Sequence, residues 1–149
     1  MNLESKVSDR IKSIKPSGIR KFSDYAKTFD HVISLGVGEP DFTTPPKICE
    51  AAIKAIQEGK THYTANRGLL ELREEICKYY TRKFNATYDA ATECLVTVGS
   101  SEGIDLAIRT FVDAGDEVIL TDPGYVAYES AVKAAGGQML KLPLNEEHE

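Results

Sequence analysis

A chain of 149 residues with 23 acidic and 18 basic side chains, net charge −5, carries no basic block to meet a phosphate backbone, so nothing in it favours nucleic-acid binding. Its 42% hydrophobic and 28% charged residues are ordinary for a soluble globular domain, with no apolar run long enough for a membrane span and no apolar N-terminal core of a secretion signal. Its three cysteines, Cys49, Cys77 and Cys94, are widely spaced and contain no CxxC pair, which indicates neither a zinc site nor a disulfide framework and predicts reduced thiols in a cytoplasmic protein.

Residues 2–14 and 17–29 read as two short helices, broken at "KPSG". The stretch "HVISLGVGEPDF" from His31 to Phe42 is a short strand that runs into a Gly/Pro loop. Such a backbone can approach a ligand closely, with the Gly38 N–H available to a carboxylate, or it can be a tight turn. Thr44-Pro45-Pro46 predicts a helix start, with Thr44 as N-cap and proline at the first position. That helix points Ile48, Ala52, Ile53 and Ile56 inward and stops at Gly59. The polar loop "KTHYTANRG" carries Tyr63 and Asn66 and leads into "LLELREEICKYYTRKF", an amphipathic helix with Leu69, Leu72, Ile76 and Tyr79/Tyr80 on one side.

From residue 93 the pattern changes to strand–helix–strand–helix–strand. "ECLVTV", "EVILTD" and "QMLKLPL" are short apolar runs that predict strands over 93–98, 117–122 and 138–144, with helices over 100–113 and 125–135 between them. A βαβαβ unit of this kind builds a parallel sheet, and its ligands sit beyond the C-terminal strand ends. Both "GSS" at 99–101 and "DPGY" at 122–125 lie at such ends. Gly99 permits the sharp turn, Ser100 is the expected N-cap, and Ser100 and Ser101 offer backbone N–H groups, with the Ser101 hydroxyl, to a phosphate or simply cap the helix. Tyr125 can lay its ring on a ligand ring or pack on its own loop. "GSSEG" matches neither a dinucleotide fingerprint nor a Walker loop. His31, His62 and His148 are isolated, and Asp41 and Asp122 read as cap or turn residues.

Taken in order, "VISLGVGEPDF", "GKTHYTANRGLLELREEI", "TVGSSEGIDLAIRTF" and "AGDEVILTDPGYVAYES" resemble the class I/II aminotransferases, pyridoxal-phosphate enzymes of fold type I, with the aspartate and aromatic aminotransferases of bacteria and archaea as the nearest branch. The resemblance implies an α/β fold: the start of a three-layer, parallel-sheet cofactor domain preceded by an N-terminal helical segment. Residues 1–44 would be the arm and part of the small domain, and residues 45–149 an incomplete large domain. It implies pyridoxal 5'-phosphate as cofactor, held at its phosphate by Ser100 and Ser101 and at its ring by Tyr125, where the family often has tryptophan. It implies that Gly38 binds the substrate carboxylate and that Tyr63 reaches the cofactor phosphate of the neighbouring subunit of a homodimer. The substrates would be an amino acid and a 2-oxo acid, with no nucleic acid or membrane as partner.

The family's Schiff-base lysine sits in a Ser-rich "SxSK" context that no lysine here has, Lys60 and Lys133 included. That lysine and the family's binding arginines are therefore expected beyond residue 149, which makes the chain the front portion of such an enzyme. The same front portion would serve a pyridoxal-phosphate C–S lyase or synthase, a transcription regulator built on this domain, or a non-catalytic relative.

Overall fold

The structure, a computed structural model, describes residues 3–16, 18–33, 35, 38, 39 and 41–145. The chain divides into two compact units, one made of Met1–Gly36 with Val98–Glu149 and the other of Val37–Thr97.

The first unit is built around a parallel strand pair. β1 (Glu117–Asp122) and β2 (Gln138–Pro143) run side by side in a register that sets Glu117 against Gln138 and Asp122 against Pro143. α6 (Val126–Ala135) makes the crossover, and α5 (Gly99–Phe111) packs on α6. The crossover ends at Gly136, whose φ of +91° is the left-handed geometry that glycine adopts without a Cβ penalty. There the N–H groups of Gly136 and Gly137 both donate to the Val132 carbonyl, at 3.1 and 3.0 Å. Val132 is the one fully buried side chain among the described residues, with Ala131 beside it at 6% exposure. A Cβ on Gly137 would lie 2.8 Å from Val112 and 3.1 Å from Val132, so this glycine lets α6 close onto the strand start. Near the N-terminus a 3-10 turn (Leu3–Lys6) and α1 (Asp9–Lys12), capped by the Ser8 hydroxyl, precede α2 (Gly18–Ala26). The expected helix over 2–14 is thus two pieces, with Asn2 outside the described residues, as is Ser17 at the start of the expected second helix. Arg10 fastens α1 to the main body by donating to the Ala134 carbonyl at 3.3 Å, at the end of α6.

The second unit holds α3 (Pro46–Gln57) and α4 (Leu70–Phe84). A proline takes the first helical position, but one residue later than expected: it is Pro46, Pro45 rather than Thr44 is the N-cap, and no side chain caps this end. α4 is rich in Leu, Glu, Arg and Lys, which lose little freedom in a helix, and closes at Asn85 with φ +54°. Its buried residues are Arg73 and Cys77; Leu69, Leu72, Tyr79 and Tyr80 stay 41–53% exposed. The inner face is set by hydrogen bonding. The Arg73 guanidinium donates to the carbonyls of Gly68 at 3.2 Å, Ala91 at 3.3 Å and Ala90, and so ties the helix start to the turn at 90–92.

The strand expected over 93–98 does not form. Among the described residues the sheet has two strands, and the backbone N–H groups of Glu93 and Val96 donate instead to the carbonyls of Asp89 at 2.8 Å and Arg67 at 3.1 Å, in a loop. Apolar, β-branched sequence supplies the propensity, but a strand exists only where a neighbouring ladder receives it. The observed sheet is therefore one βαβ unit. The strand expected after His31 falls partly on Ser34, Gly36, Val37 and Pro40, which lie outside the described residues, as does His148; Val32, Ile33, Leu35, Gly38 and Glu39 join no strand.

Candidate functional site

The N-terminal ends of α5 and of α6, the latter just past the C-terminal end of β1, meet in the first unit. Gly99 takes φ +73° and turns the chain into α5, as its sequence context requires. The N-cap is Val98, not Ser100, and no side chain caps this end. Ser100 and Ser101 therefore sit inside the first turn, where backbone N–H groups have no intrahelical acceptor and the helix dipole is positive. Glu102, in the same turn, accepts from the Val98 N–H and fixes the chain's entry. In the sequence, the Glu that follows "GSS" is the signal for this bond back to the residue before the helix.

Tyr125 is the N-cap of α6, in extended backbone at φ −70° and ψ 128°. Its hydroxyl and that of Ser101 are hydrogen-bonded at 3.1 Å. Its ring meets Tyr128 edge-on, centroids 5.6 Å apart, and the residue is 47% exposed and lines a cavity at the strand end. Gly124 controls this position: a Cβ there would lie 2.4 Å from the Thr121 carbonyl oxygen, which is backbone of β1 and cannot move aside. Gly124→Ala is expected to destabilise the protein by about 1–3 kcal/mol, the usual range for an overpacked site, and to displace Tyr125. Urea denaturation of the whole protein reads the first effect; an unchanged midpoint would refute the close contact.

Beside Ser101 lies a cavity of about 640 Å³ bounded by Ile14 and Lys15 on one side and Asp105, Val126 and Ser130 on the other. A smaller cavity of about 220 Å³ opens at the strand end between Thr121, Tyr125 and Lys141. The structure thus brings Ser101 and Tyr125 together and sets Ser100 next to them in the chain. Gly38 and Tyr63 belong to the second unit. Gly38 is exposed with nothing within 4 Å of where a Cβ would stand, and Tyr63 is fully exposed in its loop.

Neither candidate lysine is poised as a nucleophile. Lys60 holds Glu58 at 2.8 Å, and that carboxylate pushes its ammonium above the usual lysine range, away from the neutral form an attacking amine needs. Lys133 holds Glu129 at 2.6 Å, and its hydrogen bond lowers the carboxyl of Glu129. Among the described residues no cluster of His, Cys, Asp and Glu is arranged to hold a metal ion, and no helix is long and apolar enough to cross a membrane.

The fold and this strand-end site define a class: the chain belongs to the class I and II aminotransferases, whose family model, "Aminotransferase class I and II", matches residues 30–149. Within that class it is 51% identical over 135 residues to the putative aminotransferase YugH of Bacillus subtilis, covering 91% of this chain and 35% of that protein. It is 43% identical over 142 residues to the aspartate aminotransferase of Pyrococcus horikoshii, covering 95% and 36%. Among solved structures, Pyrococcus protein-A1 superposes with a TM-score of 0.87 at 41% identity, covering 94% of this chain and 36% of that one. The N-succinyldiaminopimelate aminotransferase of Mycobacterium tuberculosis gives 0.86 at 34% identity, covering 93% and 36%. The chain spans about a third of the length of the curated relatives it matches.

Proposed function

We propose that the whole protein is a pyridoxal-phosphate-dependent aminotransferase that moves an amino group from an amino acid to a 2-oxo acid and works as a homodimer. Residues 45–149 contribute to its cofactor domain and residues 1–44 to an arm and part of the small domain. The observation that carries this reading is the hydrogen-bonded pair Ser101–Tyr125 at the uncapped start of α5, in a chain that belongs to this family.

The residues present fit the cofactor. A phosphate is an anion, and the first turn of α5 offers it the N–H groups of Ser100 and Ser101, the Ser101 hydroxyl and the positive helix end. A pyridine ring needs a flat apolar surface, and the half-exposed aromatic ring of Tyr125 can offer one. The bond from Ser101 to Tyr125 limits how the ring turns, so phosphate and ring would be held in one fixed relation. When bound, the cofactor supplies an electron sink for the pair left on an amino acid's α-carbon. In this reading Gly38 donates its N–H to the substrate carboxylate, and Tyr63 reaches the phosphate of the neighbouring subunit, where its exposed position in one chain is no handicap.

In the whole protein, Tyr125→Ala is expected to weaken cofactor retention more than Tyr63→Phe does. The first removes a stacked ring worth about 0.5–1.5 kcal/mol beyond its buried area. The second removes one hydrogen bond to a charged group, worth about 1.5–3 kcal/mol at most. The ring's additional apolar burial decides the order. Dialysis followed by measurement of bound pyridoxal phosphate reads it; the reverse order would refute stacking on Tyr125.

A further inference from the structure

Two thiols of the second unit share one cavity. Cys77, on the inner side of α4, is 7% exposed, and Cys94, just past the turn at 90–92, is half-buried. Both line a cavity of about 320 Å³ together with Ile76, Tyr80, Tyr88 and Glu93. Burial holds the Cys77 thiol above its usual range, and the neighbouring Cys94, Asp89 and Glu93 push it the same way. Cys49 is separate: it sits on α3, donates to the Thr44 carbonyl at 3.6 Å and does not line this cavity.

We propose that Cys77 and Cys94 are a redox pair, which a two-electron oxidant of the peroxide class joins into a disulfide that ties α4 to the segment after residue 92. Two cysteines on separate elements that open into one small cavity need little chain movement to meet. The roles follow from access. Cys94, the more exposed, attacks a peroxide oxygen; the O–O bond breaks, and the departing hydroxide leaves as water after taking up a proton. Cys94 is then a sulfenic acid. The Cys77 sulfur attacks the Cys94 sulfur, the S–O bond breaks, and the hydroxide carries off the Cys77 proton as a second water. In sum, two thiols and one hydrogen peroxide give one disulfide and two waters. Because Cys77 is buried and held protonated, it acts as the resolving partner rather than the first target.

The test uses the whole reduced protein, treated with a molar excess of hydrogen peroxide, alkylated and digested without reduction. The expected result is one peptide pair linked through Cys77 and Cys94, lighter by two hydrogens and released by dithiothreitol, with Cys49 still alkylated. Linkage should proceed at a rate independent of protein concentration. In Cys77→Ser, Cys94 should be recovered as the sulfinic acid instead. The wild-type digest decides the matter even where that variant fails to fold: both cysteines alkylated, Cys94 over-oxidised beside a free Cys77, or either one linked to a different cysteine would overturn the pair.

Discussion

Residues 1–149, expressed as a separate polypeptide and supplied with pyridoxal phosphate, are expected to transfer no amino groups. The chemistry needs a lysine that is neutral when it attacks and that can then move a proton at the substrate's α-carbon. Lys60 and Lys133 are each held by a carboxylate, as is Lys141 at the strand end, 3.5 Å from Asp122, and the Glu58 carboxylate raises the Lys60 ammonium further. Phosphate and ring contacts alone bind without reacting, so the expected loss is the full enzymatic acceleration, which is commonly a million-fold or more over the uncatalysed rate. Glutamate formation from 2-oxoglutarate, with aspartate, tyrosine or alanine as donor, measures it. A rate above that of buffer with cofactor would sink the expectation. An absorbance change without turnover would not, since surface lysines also condense with the aldehyde.

The same polypeptide is expected to associate or to melt without a sharp transition. Among the described residues the buried set is Cys77, Ala131, Val132 and Arg73. The isoleucines of α3, expected to face inward, are exposed instead: Ile48 at 60%, Ile53 at 54% and Ile56 at 67%. Each large apolar side chain left in water forgoes about 1.5–3 kcal/mol, so three forgo about 4.5–9 kcal/mol, against a typical total stability of about 5–15 kcal/mol. Among the described residues β1 and β2 have only each other as partners, which leaves one edge of each open to pair with other chains. Relatives about three times as long have further chain to cover such faces. The net charge of −5 slows association but fills no core. Size-exclusion chromatography and a circular dichroism melt decide it; a monodisperse monomer with a steep cooperative melt would contradict the expectation.

The elements that the sequence marks by contrast are the ones the structure reproduces. "EVILTD" between "GD" and "PG", and "QMLKLP" after "AGG", form β1 and β2 because apolar, extended-prone runs stand against turn residues on both sides. The helix between them needed only its glycine stop. Residues 93–98 have the same local pattern and fail as a strand, because a ladder partner is not a local property. The inner face of α4 differs from the expected one for a related reason: hydrophobic periodicity points to Leu69, Leu72, Ile76 and Tyr79/Tyr80, of which only Ile76 is half-buried, whereas three carbonyls recruit Arg73 inward. At the site, strand-end position alone directs attention to the serines and to Tyr125. The bond between Ser101 and Tyr125 arises only when two helix starts 24 residues apart in the chain meet, whereas the closeness of Gly124 to Thr121 is local to the turn that ends β1.

The most direct test of the proposed site is a crystal structure of the whole protein with pyridoxal phosphate bound. The phosphate is expected on the N–H groups of Ser100 and Ser101 at the start of α5, with the pyridine ring stacked on the ring of Tyr125. A phosphate bound at another helix, or a ring turned away from Tyr125, would contradict the account.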